Sequence, residues 1–205
     1  MTLYALKPRF QALLRPIAAR AVARGVTANQ VTVTTAALSC LLGALLAWSS
    51  HPGLFLLLPL WLFTRMALNA IDGMMAREFG QKSRLGAYLN EICDVVSDAA
   101  LILPFAAVTP FGPSWIVAVA FLAALSEYAG VMGPLAGASR RYDGPFGKSD
   151  RAFAFGALGA AIGLFGRLPG WADWLMPIFA LLLIITTANR IRRGVAEAEP
   201  RQDAA

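Results

Sequence analysis

Apolar residues fall in long blocks, separated by short polar or proline-glycine stretches. The blocks cover roughly 29–50, 54–76, 85–109, 115–137, 150–166 and 171–189. Each is near the ~20 residues that an α-helix needs to cross a bilayer. The pattern predicts an all-α integral membrane protein with six transmembrane helices. Pro52-Gly53, Pro110-Phe111-Gly112-Pro113 and Pro169-Gly170 close three of the connections. The other two are polar, Glu78 to Arg84 and Arg140 to Pro145.

Ahead of the first block, residues 3–24 have a two-sided pattern. Tyr4, Leu6, Phe10, Leu13, Leu14 and Ile17 form an apolar side, and Arg9, Arg15, Arg20 and Arg24 lie largely opposite. This predicts an amphipathic helix in the membrane interface, its arginines near anionic lipid. Pro8 and Pro16 should break or bend it. Gly25 is placed to end it and Thr27 to cap the next helix. The chain divides into a juxtamembrane helix (1–27), a membrane domain (28–190) and a polar cytoplasmic tail (191–205), expected to fray from Arg190 onward.

Composition agrees. Of 205 residues, 58% are hydrophobic, above the about 45–50% of soluble domains. The basic residues of the N-terminal segment are spread through it rather than set before an apolar core, so no cleavable signal is expected. Cys40 and Cys93 lie inside apolar blocks and are expected to be free thiols.

The net charge of +6 follows the connections, which argues for orientation and against nucleic acid as partner. Sixteen of the eighteen Lys and Arg residues fall in the N-terminal segment, the second and fourth connections and the tail. Arg167 alone falls on the opposite side, and Arg65 lies within a span. Both termini are therefore expected on the cytoplasmic side of a bacterial inner membrane.

Ionisable residues inside a membrane are costly and usually serve function. Here they cluster. Arg65, Asn69 and Asp72 lie in the second block, Asn90, Glu91, Asp94 and Asp98 in the third, and Glu127 in the fourth. Offsets of three and four put Asn69 with Asp72, and Asn90 with Asp94 and Asp98, on single helix faces. A short connection sets the two helices antiparallel, so these faces can meet. Converging carboxylates need a cation, and Mg²⁺ or Mn²⁺ prefers oxygen ligands and bridges phosphates. The alternative is a buried network in which Arg65 and Glu127 serve as structural ion pairs.

The stretch Asn69-x-x-Asp72-Gly73-x-x-Ala76-Arg77, eight residues, Gly86-x-x-x-Asn90-x-x-x-Asp94 resembles the CDP-alcohol phosphotransferase signature, D-x-x-D-G-x-x-A-R, eight residues, G-x-x-x-D-x-x-x-D. Thr27-Ala28-Asn29-Gln30-Val31-Thr32 resembles the family's T-P-N-x-x-T ahead of the first span. Gly147-Lys148-Ser149-Asp150-Arg151 resembles its G-K-x-K-T. The whole chain is most similar to the YnbA-like bacterial branch. The resemblance implies transfer of a phosphoalcohol group from a CDP-alcohol, here CDP-diacylglycerol, to a second alcohol, with release of CMP. It implies Asp72 as a metal ligand and Asp94 as the general base. Gly73, Ala76, Arg77 and Gly86 would bind the donor nucleotide.

Two motif aspartates are Asn69 and Asn90 here. A carboxamide offers one neutral oxygen in place of a carboxylate. The metal set is then Asp72, Asp94, Asn69 and Asn90, with Asp98 and Glu91 as replacements, and holds one or two ions. The departure also fits an inactive lipid- or nucleotide-binding homologue. An ion transporter is a further reading, but the repeat symmetry it calls for is missing.

Lys148, Arg151 and Arg140 are candidates for the acceptor, a small alcohol or a phosphorylated polyol. Arg140 and Arg141 also fit charge beside lipid headgroups. Gly156, Gly159 and Gly163 give the fifth block a small-residue face, for packing inside the bundle rather than for a homodimer, although the resemblance leaves a homodimer open.

Overall fold

The computed structural model describes residues 3–49 and 51–199, with side chains from Phe10 onward. The expectations for the side chains of Tyr4, Leu6 and Arg9 lie outside the described residues. The described chain is all-helical: α1 Leu3–Ala23, α2 Ala28–Trp48, α3 Leu57–Glu78, α4 Arg84–Ile102, α5 Pro113–Val131, α6 Lys148–Phe165 and α7 Leu175–Ala198. Short 3-10 turns precede α3 and α7 and follow α4 and α5.

Local chemistry sets the helix ends. Gly25 takes a positive φ of 79° and releases the chain from α1. Thr27 then accepts from Gln30 N while Gln30 Oε1 accepts from Thr27 N, a reciprocal cap on α2. Ser83 caps α4 by accepting from Gly86 N at 2.9 Å.

Four boundaries differ from the hydrophobic pattern. The third block was expected to run to 109, but Pro104 turns the chain into a 3-10 segment after Ile102. Pro134 does the same after α5. Pro16 does not break α1, because Leu14 and Ala18 on either side of it pack against Ile71, Met74 and Met75 of α3. The tail does not fray at Arg190. Helix α7 continues to Ala198, pinned by contacts of Arg190, Arg193 and Glu197 with the 137–147 connection.

The helices pack side by side: α2 on α3 and α4, α3 on α1 and α6, α4 on α5, and α5 on α7. Lipid tails are as apolar as leucine, so close contact rather than water exclusion holds such helices together. The small face of α6 works inside the bundle. A Cβ on Gly159 would sit 3.1 Å from both Leu58 Cδ2 and Phe55 O. At Gly43 of α2 an added Cβ would overlap the carbonyl of Ala100 on α4, so there the two helices touch main chain to main chain.

One end of the bundle is aromatic. Phe105 meets Phe55 at 5.3 Å and Phe155 at 5.1 Å between ring centroids. Leu41, Leu60, Phe121 and Leu181 point outward and are exposed, as a lipid-facing surface requires. Four stretches are long and apolar enough to cross a membrane: Ala28–Trp48, Pro52–Glu78, Pro113–Val131 and Gly170–Ala198. The chain is thus a multi-pass membrane protein. Helices α4 and α6 fall outside that class, and both carry charged residues that the sequence pattern singled out.

Candidate active site at the charged end

The antiparallel pair α3 and α4 brings the predicted faces together. Asn69 Nδ2 donates to Asp94 Oδ1 at 3.1 Å. One turn deeper, Arg65 Nη1 donates to Asp98 Oδ1 at 2.5 Å, and Arg65 Nη2 lies 3.3 Å from Asp94 Oδ1. The register is therefore 69 against 94 and 65 against 98. Asp72 is buried beside this pairing and accepts from Thr32 Oγ1 of α2 at 2.7 Å.

Helix α6 adds cations from the far side. The Lys148 ammonium pairs with Asp94 Oδ1. Arg151 is buried, and its Nη2 donates to Asp98 Oδ2 at 2.7 Å and to Glu127 Oε1 at 2.9 Å. Glu127 Oε2 faces Arg190 Nη1 at 3.3 Å and Arg140 Nη2 at 3.6 Å. Arg65, Asp98, Arg151, Glu127 and Arg190 thus form an unbroken chain of ion pairs across α3, α4, α6, α5 and α7. Buried charges need such partners to be tolerated.

A cavity of about 480 Å³ opens beside the chain of pairs. Asn69, Asn90, Asp94, Glu127, Arg140 and Lys148 are among its lining residues. The hydrogen bonds that the Asp94 side chain accepts among the described residues, and its closest approaches to Arg65 and Lys148, fall on Oδ1. A second hollow of about 670 Å³, near Phe165 and Trp171, holds none of these carboxylates.

The other sequence candidates are also placed. The Arg77 guanidinium folds over Gly73, 3.0 Å from where a Cβ would stand. Ala76 lies partly buried on the same helix. The space that Gly86 leaves is taken by Asn29 Oδ1 and Ser83 Oγ, at 2.7 and 2.9 Å from an added Cβ. Glu91 pairs with Arg140 at 2.6 Å, and both Asp98 oxygens are held by guanidinium groups. Arg140 and Arg141 are both held by other side chains. Arg140 bonds Tyr142 and lies 4.5 Å over its ring, while Arg141 pairs with Asp143 and Glu197. Cys40 and Cys93 are free, as expected.

Sequence reasoning missed Thr32 as the partner of Asp72 and Arg190 as a buried site residue. A signal for Arg190 exists. Met176, Leu183, Thr186 and Arg190 recur at helical spacing along the buried face of α7.

The family model for CDP-alcohol phosphatidyltransferase matches residues 25–186. The chain is 47% identical over 192 residues to inner membrane protein YnbA of Escherichia coli K12, covering 94% of this chain and 96% of that protein. It is 28% identical to phosphatidylinositol phosphate synthase of Mycolicibacterium smegmatis, covering 92% of this chain and 87% of that one. The Mycobacterium tuberculosis phosphatidylinositol phosphate synthase, solved with manganese and citrate, shares the fold at a TM-score of 0.73 and 23% identity, covering 92% of this chain and 93% of that one. The same synthase solved with CDP-DAG gives a TM-score of 0.70. The residues matched and the extent of the match place this chain in the CDP-alcohol phosphatidyltransferase family.

Proposed function

We propose that this chain transfers a phosphatidyl group from CDP-diacylglycerol to the hydroxyl of a second alcohol and releases CMP, using Mg²⁺ or Mn²⁺. The observation that supports it is Asp94 hydrogen-bonded to Asn69 at a cavity that Asn90 also lines, with Asp72 buried one turn along α3 from Asn69. The solved synthase of the same fold was crystallised with manganese and with CDP-DAG.

The donor set suits a hard cation. Asp72 offers a buried carboxylate, and Asn69 and Asn90 carry carboxamide oxygens beside Asp94 at the cavity. It suits one ion better than two. Asp98 and Glu91 are held by arginines, and among the described residues no three His, Cys, Asp or Glu side chains come together at a metal's distance. When bound, the ion would offset the diphosphate charge and polarise the phosphoryl oxygens.

The remaining work falls to side chains. Asp94 Oδ2 takes the acceptor's proton. The acceptor oxygen bonds to the lipid-side phosphorus, the bond from that phosphorus to the bridging oxygen breaks, and CMP leaves with the electron pair. Arg77, beside Gly73 and Ala76, holds a nucleotide phosphate. Lys148 and Arg140 line the acceptor side of the cavity, with Arg151 behind them. In this reading α4 and α6 also cross the bilayer, since partners in the bundle match their charges. That makes six spans, with α1 in the interface and both termini on the cytoplasmic side of the inner membrane.

The test is CMP release from CDP-diacylglycerol by purified protein with Mg²⁺ or Mn²⁺ and a panel of alcohols. Release with at least one acceptor is expected, abolished by chelation and reduced about 10²–10⁴-fold in Asp94→Ala. Donor binding without release across a broad panel would show a non-catalytic homologue. Ion flux through liposomes would show a transporter.

A further inference from the structure

The acceptor side of the cavity invites a simple interpretation. Arg65, Arg140, Lys148 and Arg190 all line it, and arginine is the side chain best shaped for phosphate. Their contacts point elsewhere.

Glu127 is the reason. It sits on α5, its side chain only 9% exposed, and it lines the same cavity. Its carboxylate lies 2.9 Å from Arg151, 3.3 Å from Arg190 and 3.6 Å from Arg140. Three guanidinium groups converging on a compact anion are the surroundings a phosphate would seek. Here the protein supplies the anion itself.

Most other donors of the basic residues are also engaged, Arg140 Nε and Arg65 Nε alone among their described nitrogens being buried without a hydrogen-bond partner. Arg190 donates to the carbonyls of Ser126 and Asp143. Arg140 donates to Glu91 and to the Tyr142 hydroxyl. Arg65 is held by Asp98 and Asp94, and Lys148 by Asp94.

We infer that Glu127 restricts the acceptor to an uncharged polyhydroxy compound, such as glycerol or a sugar alcohol, and excludes phosphorylated polyols. This rests on the transfer reading above and names its substrate class. A phosphorylated acceptor would have to displace Glu127 from three guanidinium groups or lie against its charge. Either cost falls on that acceptor alone, so the site selects by repulsion. An uncharged polyol meets no such cost. Its hydroxyls can exchange hydrogen bonds with Asn90, Tyr142, Ser149 and Asp150, which line the same space.

The experiment uses the full-length protein with CDP-diacylglycerol and Mn²⁺. CMP release is followed with glycerol, sorbitol and myo-inositol, and with glycerol 3-phosphate and inositol phosphate. At least one uncharged polyol should exceed its phosphorylated counterpart by about 10²-fold or more in kcat/KM, since a phosphate would lie against a like charge. Glu127→Gln should narrow that ratio at least tenfold, through a lower KM for the phosphorylated acceptor. Glu127→Asp, which keeps the charge, should keep the preference. A merely structural role for Glu127 would change both acceptors alike. If Glu127→Gln does not fold, calorimetric titration of the unaltered protein with glycerol 3-phosphate and with glycerol decides the matter. Use or binding of the phosphorylated compound as good as that of the uncharged one overturns the inference. Silence with every acceptor overturns the transfer reading, and the inference with it.

Discussion

Arg151 and Phe155 stand one turn apart on the same face of α6, each 2% exposed, and different forces hold them. Arg151 is fixed by Asp98 of α4 and Glu127 of α5. Phe155 is fixed by ring contacts with Phe105 at 5.1 Å and Phe179 at 5.8 Å. The aromatic contact needs volume, shape and an edge-to-face approach, but no charged partner. The ionic one needs named partners, and through them it reaches Arg65 on α3 and Arg190 on α7. In a bundle surrounded by lipid, the aromatic end supplies close packing, while the charged end specifies which helices are neighbours and in what register.

Single variants separate the two forces. Arg151→Leu should be the most damaging, at about 3–5 kcal/mol, because it removes a shared partner from two buried carboxylates. Denaturant unfolding in detergent would measure it. An Arg151→Leu protein as stable as the parent would mean that the chain of pairs holds nothing together. Phe155→Ala should cost about 3–5 kcal/mol through the cavity it leaves, and no charge deletion should rescue it.

Overpacking comes next. Gly159→Leu would press on Leu58 and Phe55, at about 1–3 kcal/mol in the same assay. The smallest effect is expected outside the membrane, at Asp143. Partial burial raises its carboxyl, but hydrogen bonds from Arg193 and Arg141 outweigh this and leave it below the usual aspartate range. Its contribution is therefore present above the unfolded value of about 4 and fades as pH falls through the lower folded value. The unfolding midpoint should fall with pH in that window, and Asp143→Asn should flatten the fall.

The helices were legible because apolar runs and prolines are local signals. Asn69, Asp72, Asn90 and Asp94 were legible because offsets of three and four decide which residues share a face. The partners of the arginines were not. Arg151, Arg190 and Arg192 look alike as basic residues near span ends, yet Arg151 and Arg190 are buried and Arg192 is exposed. What separates them is rotation about the helix axis, which a count of charge per connection ignores. Asp98 shows the same limit. Spacing put it beside Asp94, but only the folded chain shows two guanidinium groups already on it. The reach of α7 to Ala198 was hidden because its polar last turns are held by Ser139, Arg141 and Asp143, far away in sequence.

Gly43 carries a mechanical consequence. With no side chain between α2 and Ala100 of α4, no compressible layer separates the two backbones there. The pair acts as a single strut. A change in bilayer thickness that tilts α2 is passed undamped to α4, and Asp94 lies less than two turns along that helix from the point of contact.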